Sequence, residues 1–376
     1  MLFFLISFLL FHLVVRADVL SLSAKSAILI EESTGNVIYE LNPDEKLNPA
    51  SMTKIMSLIL IMEKIDEGKI KLTDDVTVSK EAASMGGSQV YINEGEVYQV
   101  GELLKAVAIA SANDAVYALS EKVSGSKEKF VEEMNNKAKK LNLQNTHFMN
   151  PHGLDEENHY SSARDMSIMA RELLKHEQIL EYTSKYEDYF KKKDGSNIWL
   201  VNTNKLVKFY EGMDGLKTGY TSSAGYCLTA TSQKDNLRFI SVVMGEESIE
   251  KRTEDTLKLL NYGFNTVKKE VILDKSKIID SKKLYLSNKD KVNVYLKNDI
   301  VKITNLDDDK VKYKYDIKYN DIKYPIKNGS SIGNIKVTDN KGNIFKEDLV
   351  VHEEVKKISF IKLFKRNINI FSSGIN

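Results

Sequence analysis

The chain has 376 residues, 42% of them apolar and 28% charged, which is more than one domain of usual size and calls for a main domain plus a smaller one. Its 54 basic and 53 acidic residues nearly cancel, excluding a nucleic-acid or polyanion binder driven by bulk charge. A single cysteine, Cys227, excludes an internal disulfide and a cysteine-built metal centre; the six histidines lack metal-ligand spacing, so neither metal nor cofactor is expected.

Met1 to Val15 is an apolar run too short to be a comfortable membrane span. It reads as a signal peptide, with Val15 and Ala17 as the small residues before a cleavage at Asp18; the alternative is an uncleaved anchor. Either way the chain is expected to be exported and to work at the extracytoplasmic face of the cell membrane.

From Ala24 the pattern is mixed. Ala27 to Glu31 and Val37 to Glu40 read as a hairpin around Ser33-Thr34-Gly35-Asn36. An almost wholly apolar helix follows from Ser51 to about Asp66, ended by Gly68. Further helices are expected at 101–110, 114–123, 127–140 and 162–175, the last opened by a capping box of Ser162 and Asp165. The period then becomes two: Leu216 to Tyr220, Tyr226 to Thr231 and Phe239 to Met244 read as strands, and a helix from about Ile249 to Leu260 closes the unit. Strands at both ends with helices between point to an α+β fold: one antiparallel sheet flanked by helices, its first and last segments paired.

After Gly263, alternation such as Val292-Asn293-Val294-Tyr295-Leu296 marks a small, β-sandwich-like module with a charged outer face. The last twenty residues form a basic amphipathic helix. Phe360, Ile361, Phe364, Ile368 and Phe371 share one face, with Lys362, Lys365 and Arg366 opposite. This reads as a peripheral anchor on an anionic membrane surface; the alternative is a helix docked on the β-module or a frayed tail. The expected division is thus 1–17 leader, 18–265 main domain, 266–353 β-module and 354–376 anchor.

Three short signals could carry chemistry. Ser51-Met52-Thr53-Lys54 puts a hydroxyl and an amine on one helix face. Other Ser-x-x-Lys runs start at Ser124, Ser126, Ser248 and Ser359, but only Ser51 opens a buried apolar helix, at its positive end. Ser111-Ala112-Asn113 interrupts two Ala-rich helices with residues that favour turns. Lys217-Thr218-Gly219 falls on a strand, where the glycine lets another backbone approach.

In this order and setting, the three resemble the signature of penicillin-recognising serine acyltransferases. Asn48-Pro49-Ala50, the Asn150-Pro151-His152-Gly153-Leu154 loop, Ser161-Ser162-Ala163-Arg164-Asp165-Met166, Asp214-Gly215-Leu216 before the Lys-Thr-Gly run and Ala224-Gly225-Tyr226 after it narrow the match. The chain is similar to low-molecular-mass penicillin-binding proteins that act as D-alanyl-D-alanine carboxypeptidases, strongly over about residues 24 to 265.

The resemblance implies a substrate, the peptidoglycan stem peptide ending in D-Ala-D-Ala, and β-lactam antibiotics as covalent inhibitors. Ser51 would attack the carbonyl between the two D-alanines, and water would resolve the acyl-enzyme. Lys54 would be the base, which requires it neutral. Bringing a lysine from about 10.4 to near 7 costs on the order of 4 to 5 kcal/mol, available from burial and a second cation at Lys217. Ser111 would pass a proton to the departing amine, and Asn113 would orient substrate or Lys54. Lys217, Thr218 and, by analogy, Arg252 would meet the terminal carboxylate, although Arg252 also fits a solvated helix arginine paired at i,i+4 spacing. The amides of Ser51 and Tyr220 would form an oxyanion hole, and Gly219 would count among the substrate-binding residues. His152 and Asp155 read as loop structure, and Cys227 as a buried strand residue.

A class A β-lactamase shares the three short motifs but needs a Glu-x-x-Leu-Asn glutamate for deacylation. The nearest match, Ala138-Lys139-Lys140-Leu141-Asn142, has alanine there. A sensor that is acylated without turnover is the third possibility.

Overall fold

The computed structural model describes residues 20–306 and 311–373, and these divide into two units at Phe264/Asn265. The leader expected over 1–17 lies outside the described residues.

The first unit begins with the hairpin β1 (Ser26–Glu31) and β2 (Val37–Leu41). A single 3-10 turn, Ala50–Thr53, leads into α1 (Lys54–Asp66). β3 (Asp75–Thr77), α2 (Lys80–Ala83) and β4 (Val97–Gln99) form a small excursion before three consecutive helices, α3 (Val100–Ala110), α4 (Asn113–Ser124) and α5 (Lys127–Lys140). α6 (Ala163–Leu173), α7 (Leu180–Thr183), the hairpin β5 (Glu187–Lys191) with β6 (Asn197–Val201), and α8 (Leu206–Phe209) precede β7 (Met213–Thr221), β8 (Gly225–Lys234), β9 (Leu237–Glu246) and α9 (Ile249–Thr266).

The five-stranded sheet runs β2-β1-β9-β8-β7, antiparallel throughout. The first strand and the last pair along their length, Ile28 opposite Val242, so the sheet closes the chain around its helices. All six residues of β1 are buried, as a strand enclosed on both faces requires. α1 is apolar on every side and is buried from Lys54 to Met62, so it forms the axis of the core. α5 instead buries only Phe130, Met134 and Ala138, one stripe at i,i+4 spacing, and leaves its lysines and glutamates outside. Ser162 caps α6 by accepting the Asp165 N–H at 3.2 Å. The Asp165 carboxylate, however, serves Asn145 N and Thr146 Oγ1 rather than closing the capping box.

The second unit is β-rich. β10 (Val267–Leu273) pairs with β13 (Ile300–Asn305), while β11 (Asp280–Lys283), β12 (Lys291–Leu296), β14 (Tyr313–Tyr319), β15 (Ser331–Asp339) and β16 (Ile344–Val350) form a sheet in the order β11-β12-β16-β15-β14. Alternate residues Val292, Val294, Leu296, Ile335 and Val337 fill its core. The chain ends in α10 (Phe360–Ser373). Phe360, Ile361, Phe364 and Ile368 are exposed; the side chain of Phe371 lies outside what is described. Arg366 keeps to the side of the helix away from that apolar face. It pairs with Asp290 at 2.8 Å and donates to Ser287 O, so the β-module, not solvent, neutralises it.

Candidate active site

Ser51 stands one turn outside α1. The left-handed Ala50 (φ 47°) and the Met52 N–H bonded to Pro49 O at 3.1 Å tighten its entry into a 3-10 turn. Lys54 then begins the α-helix, and its Nζ lies 2.9 Å from Ser51 Oγ, 2.6 Å from Asn113 Oδ1 and 2.7 Å from the His152 carbonyl oxygen. Two of these three neighbours can only accept. A neutral amine has two N–H groups and one lone pair, so with its protons committed to Asn113 and His152 the lone pair is left for the Ser51 hydroxyl. The geometry therefore suits a proton moving from Ser51 to Lys54.

The His152 carbonyl arrives on the Asn150–Leu154 loop, which packs against the start of α1. Gly153, at φ +87°, has no room for a Cβ, which would overlap Ala50 O. Ser57 Oγ donates to Pro151 O at 2.6 Å and Thr53 Oγ1 bonds His159 Nε2 at 2.8 Å, tying loop to helix. Burial drives the His152 imidazole down to about 3 and His159 to about 4, so both are neutral near pH 7 and neither adds charge beside Lys54.

Ser111 ends α3 in the left-handed region (φ 64°, ψ 29°), a conformation uncommon for serine. Its Oγ is buried with no partner among the described residues, on a wall of the same cleft as Ser51. A polar atom held that way is poised to bond whatever enters. Two residues on, Asn113 starts α4; its Nδ2 donates to Gly86 O at 2.7 Å, which fixes the amide so that Oδ1 faces Lys54. The adjacent Asp114 accepts the Val90 and Ile92 N–H groups, and burial pushes its carboxyl up.

The third side is β7, the edge of the sheet, whose outer backbone groups have no neighbouring strand. Gly219 lies directly on the Ser51 turn: a Cβ there would meet Pro49 O at 2.7 Å and Ala50 Cβ at 3.1 Å. Thr218 Oγ1 donates to Thr203 Oγ1 at 2.7 Å, and Tyr220 stacks on Tyr226 with ring centroids 4.3 Å apart. Lys217 is 1% exposed, and its Nζ donates to Thr218 O at 3.1 Å. Arg252 on α9 is 7% exposed, lines the cleft and has an Nε with no partner among the described residues, which is not the solvated, ion-paired helix arginine that its local sequence also allowed.

Ser51, Ser111, Thr218, Gly219, Tyr220 and Arg252 thus line one cleft of about 430 Å³, with Lys54 and Lys217 buried beside it. Burial holds the Lys54 amine well below the usual lysine range; the Lys217 charge pushes the same way and Asp114 opposes. Lys217 is lowered to about 7, by burial first and then by Arg252. The cluster therefore resists holding all three charges at once, and the amine against Ser51 is driven neutral.

Sequence reasoning missed Ser88, Val201, Thr203, Lys205 and Ile249, which also line the cleft. Each reaches it through tertiary folding, from a loop, the unexpected β5–β6 hairpin or the start of α9, and carries no local motif. The sequence reads His152 as loop structure, yet its backbone carbonyl accepts from Lys54 Nζ, a contact that no residue-type pattern can signal.

A helix-flanked antiparallel sheet with a half-buried serine against a buried lysine at its edge, joined to a β-rich unit, defines a penicillin-recognising serine hydrolase. Residues 14–248 match the D-alanyl-D-alanine carboxypeptidase family, and residues 268–357 match the penicillin-binding protein 5 C-terminal domain. The chain is 44% identical over 354 residues to D-alanyl-D-alanine carboxypeptidase DacF of Bacillus subtilis (strain 168), covering 94% of this chain and 91% of that one. The structure of penicillin-binding protein 5 from Haemophilus influenzae superposes with a TM-score of 0.73 at 31% identity, covering 90% of this chain and 98% of the other. Penicillin-binding protein D2 from Listeria monocytogenes, in its ampicillin-bound form, gives 0.59 at 33% identity over 65% of this chain and 98% of that one. The chain belongs to the D-alanyl-D-alanine carboxypeptidase family.

Proposed function

We propose that this serine-type carboxypeptidase removes the terminal D-alanine from peptidoglycan stem peptides through an acyl-enzyme on Ser51. The observation that carries the reading is the 2.9 Å approach of a buried, depressed lysine amine to the Ser51 hydroxyl. Neutral Lys54 takes the hydroxyl proton as Oγ attacks the carbonyl between the two D-alanines. The amides of Ser51 and Tyr220 hold the oxyanion. The C–N bond breaks, the leaving amine collects its proton through Ser111, and free D-Ala departs. Water, deprotonated by the same lysine, then splits the ester and returns the proton to Ser51 Oγ.

Lys217, Thr218 and Arg252 recognise the terminal carboxylate, and Asn113 holds Lys54 and the substrate amide. β-Lactams enter the same cleft and acylate Ser51. The β-lactamase alternative lacks a glutamate to direct the deacylating water, since Ala138 stands in its place.

Residues 1–17 direct export and are removed, 18–265 carry catalysis, 266–353 form the β-module, and 354–376 hold the enzyme on the outer face of the membrane. The exposed Phe360, Ile361, Phe364 and Ile368 face supports this last assignment; no helix among the described residues is long and apolar enough to cross a membrane.

Protein lacking residues 1–17 should release D-Ala from a synthetic stem pentapeptide, and Ser51→Ala should abolish release. Free D-Ala at the same rate from both would refute the assignment.

A further inference from the structure

Away from the cleft, the start of the described chain is fastened by two acids that the mechanism does not use. Glu246, the last residue of β9, and Asp255, two turns into α9, are both buried, and both accept the same hydroxyl: Ser23 Oγ reaches Glu246 Oε2 at 3.0 Å and Asp255 Oδ2 at 3.1 Å. Asp255 Oδ2 also accepts the N–H groups of Ser23 and Ala24. Ser23 has one hydroxyl proton for two carboxyls, and among the described residues Glu246 Oε1 is buried without a donor. Two ionised carboxylates cannot share that site, so the geometry calls for a proton held between them.

The groups around the pair do not supply an equivalent charge to both. On α9, Lys258 bonds Asp255 Oδ1 at 3.1 Å but is shared with Glu254 at 2.9 Å and Ser21 O at 2.9 Å, while Lys251 is near enough to favour an ionised Glu246 only weakly. From the N-terminal segment, Lys25 lays its side chain over Gly245. On β8, neutral Cys227 accepts the Gly245 N–H at 3.5 Å.

The same helix carries Arg252, one turn before Asp255, and the Arg252 carbonyl accepts Thr256 Oγ1 at 2.7 Å. The Nε of Arg252 has no partner among the described residues, so the pose of α9 does much to set where its guanidinium lies in the cleft. Resting on the carboxypeptidase reading, which assigns Arg252 to the substrate carboxylate, we propose that Glu246 and Asp255 are positioning residues for substrate binding: a proton-bridged latch that clamps Ser23 and Ala24 to α9 and keeps Arg252 in place. Burial and Asp255 raise the Glu246 carboxyl to about 7. A raised acid is protonated below that value, so the latch is closed at pH 6 and opens as pH rises through about 7.

The test uses the full-length chain and two readouts. Amide hydrogen exchange at Ser23 and Ala24, corrected for intrinsic rates, should speed up at least tenfold between pH 6 and 8.5 in the wild type, and less than threefold in Glu246→Gln, which keeps a neutral hydrogen bond. This readout stands even if no D-Ala is released, so failure of the carboxypeptidase reading is separately visible. For D-Ala release, Lys217 titrates in the same window, so the comparison between proteins decides. KM should rise at least threefold more steeply in the wild type than in Glu246→Gln, with kcat shared. Identical exchange in the two proteins overturns the latch; differing exchange with superimposable KM profiles overturns the positioning role.

Discussion

Lys54 and Asn113, 59 residues apart in the chain, meet with Nζ 2.6 Å from Oδ1. This contact decides which way the Lys54 lone pair points. Asn113→Asp keeps the acceptor and adds a negative charge, which favours the protonated amine and raises a neighbouring pKa by about 1 to 3 units. With a neutral Lys54 as the proposed base, the acid limb of kcat/KM for D-Ala release should move up by at least about one pH unit, with the rate lost on the acid side of that limb. Asn113→Ala should lower the rate without that shift. A pH–rate profile of the three proteins checks both.

Lys217 links catalysis to stability with opposite signs. Its amine titrates at about 7 in the folded chain against 10.5 ordinarily. Between those values the unfolded chain binds the extra proton, so stability contributed at this site rises with pH through the interval, and the penalty is full below about pH 7. Lys217→Met removes the buried charge. It should raise the melting temperature by at least about 3 °C at pH 6 and by less at pH 9, while kcat/KM falls on the order of 100-fold through loss of a charged contact. Thermal scans at the two pH values, beside D-Ala assays, measure both.

The fate of α10 separates anchor from appendage. Phe360 is 81% exposed and Ile361 69%, an apolar face left open by the described residues, whereas Arg366 is already bound to Asp290. Deleting the chain after Val355 should move the protein from the membrane to the soluble fraction. Arg366→Ala should leave the protein in the membrane fraction on the same fractionation, because Lys362 and Lys365 remain for the lipid surface.

Much of this was legible in the residues. The period-two runs located β7, β8 and β9, and the apolar α1 marked the core, because burial on both faces or on every side leaves a continuous hydrophobic text. The β5–β6 hairpin was not found: of its ten residues only Phe190 and Leu200 are fully buried, so charged and aromatic residues obscure the alternation. Ser51 was placed in a helix that in fact starts at Lys54, since a 3-10 turn and an α-turn share one composition. Ser111 stood out as a turn residue, but its left-handed backbone and unpartnered hydroxyl arise only where α3 meets α4. Arg252 was undecidable locally, because Glu250-Lys251-Arg252-Thr253-Glu254 reads as a solvated helix until β8 and the cleft are packed against it.

The central claim is that the hydroxyl next to Lys54 becomes covalently acylated. Incubation with benzylpenicillin, followed by intact-mass and peptide mass spectrometry over time, reads this directly. The account predicts one adduct of the whole inhibitor, on the peptide containing Ser51, long-lived in the wild type and missing in Ser51→Ala. An adduct that persists in Ser51→Ala, or none in the folded wild-type protein, would contradict it.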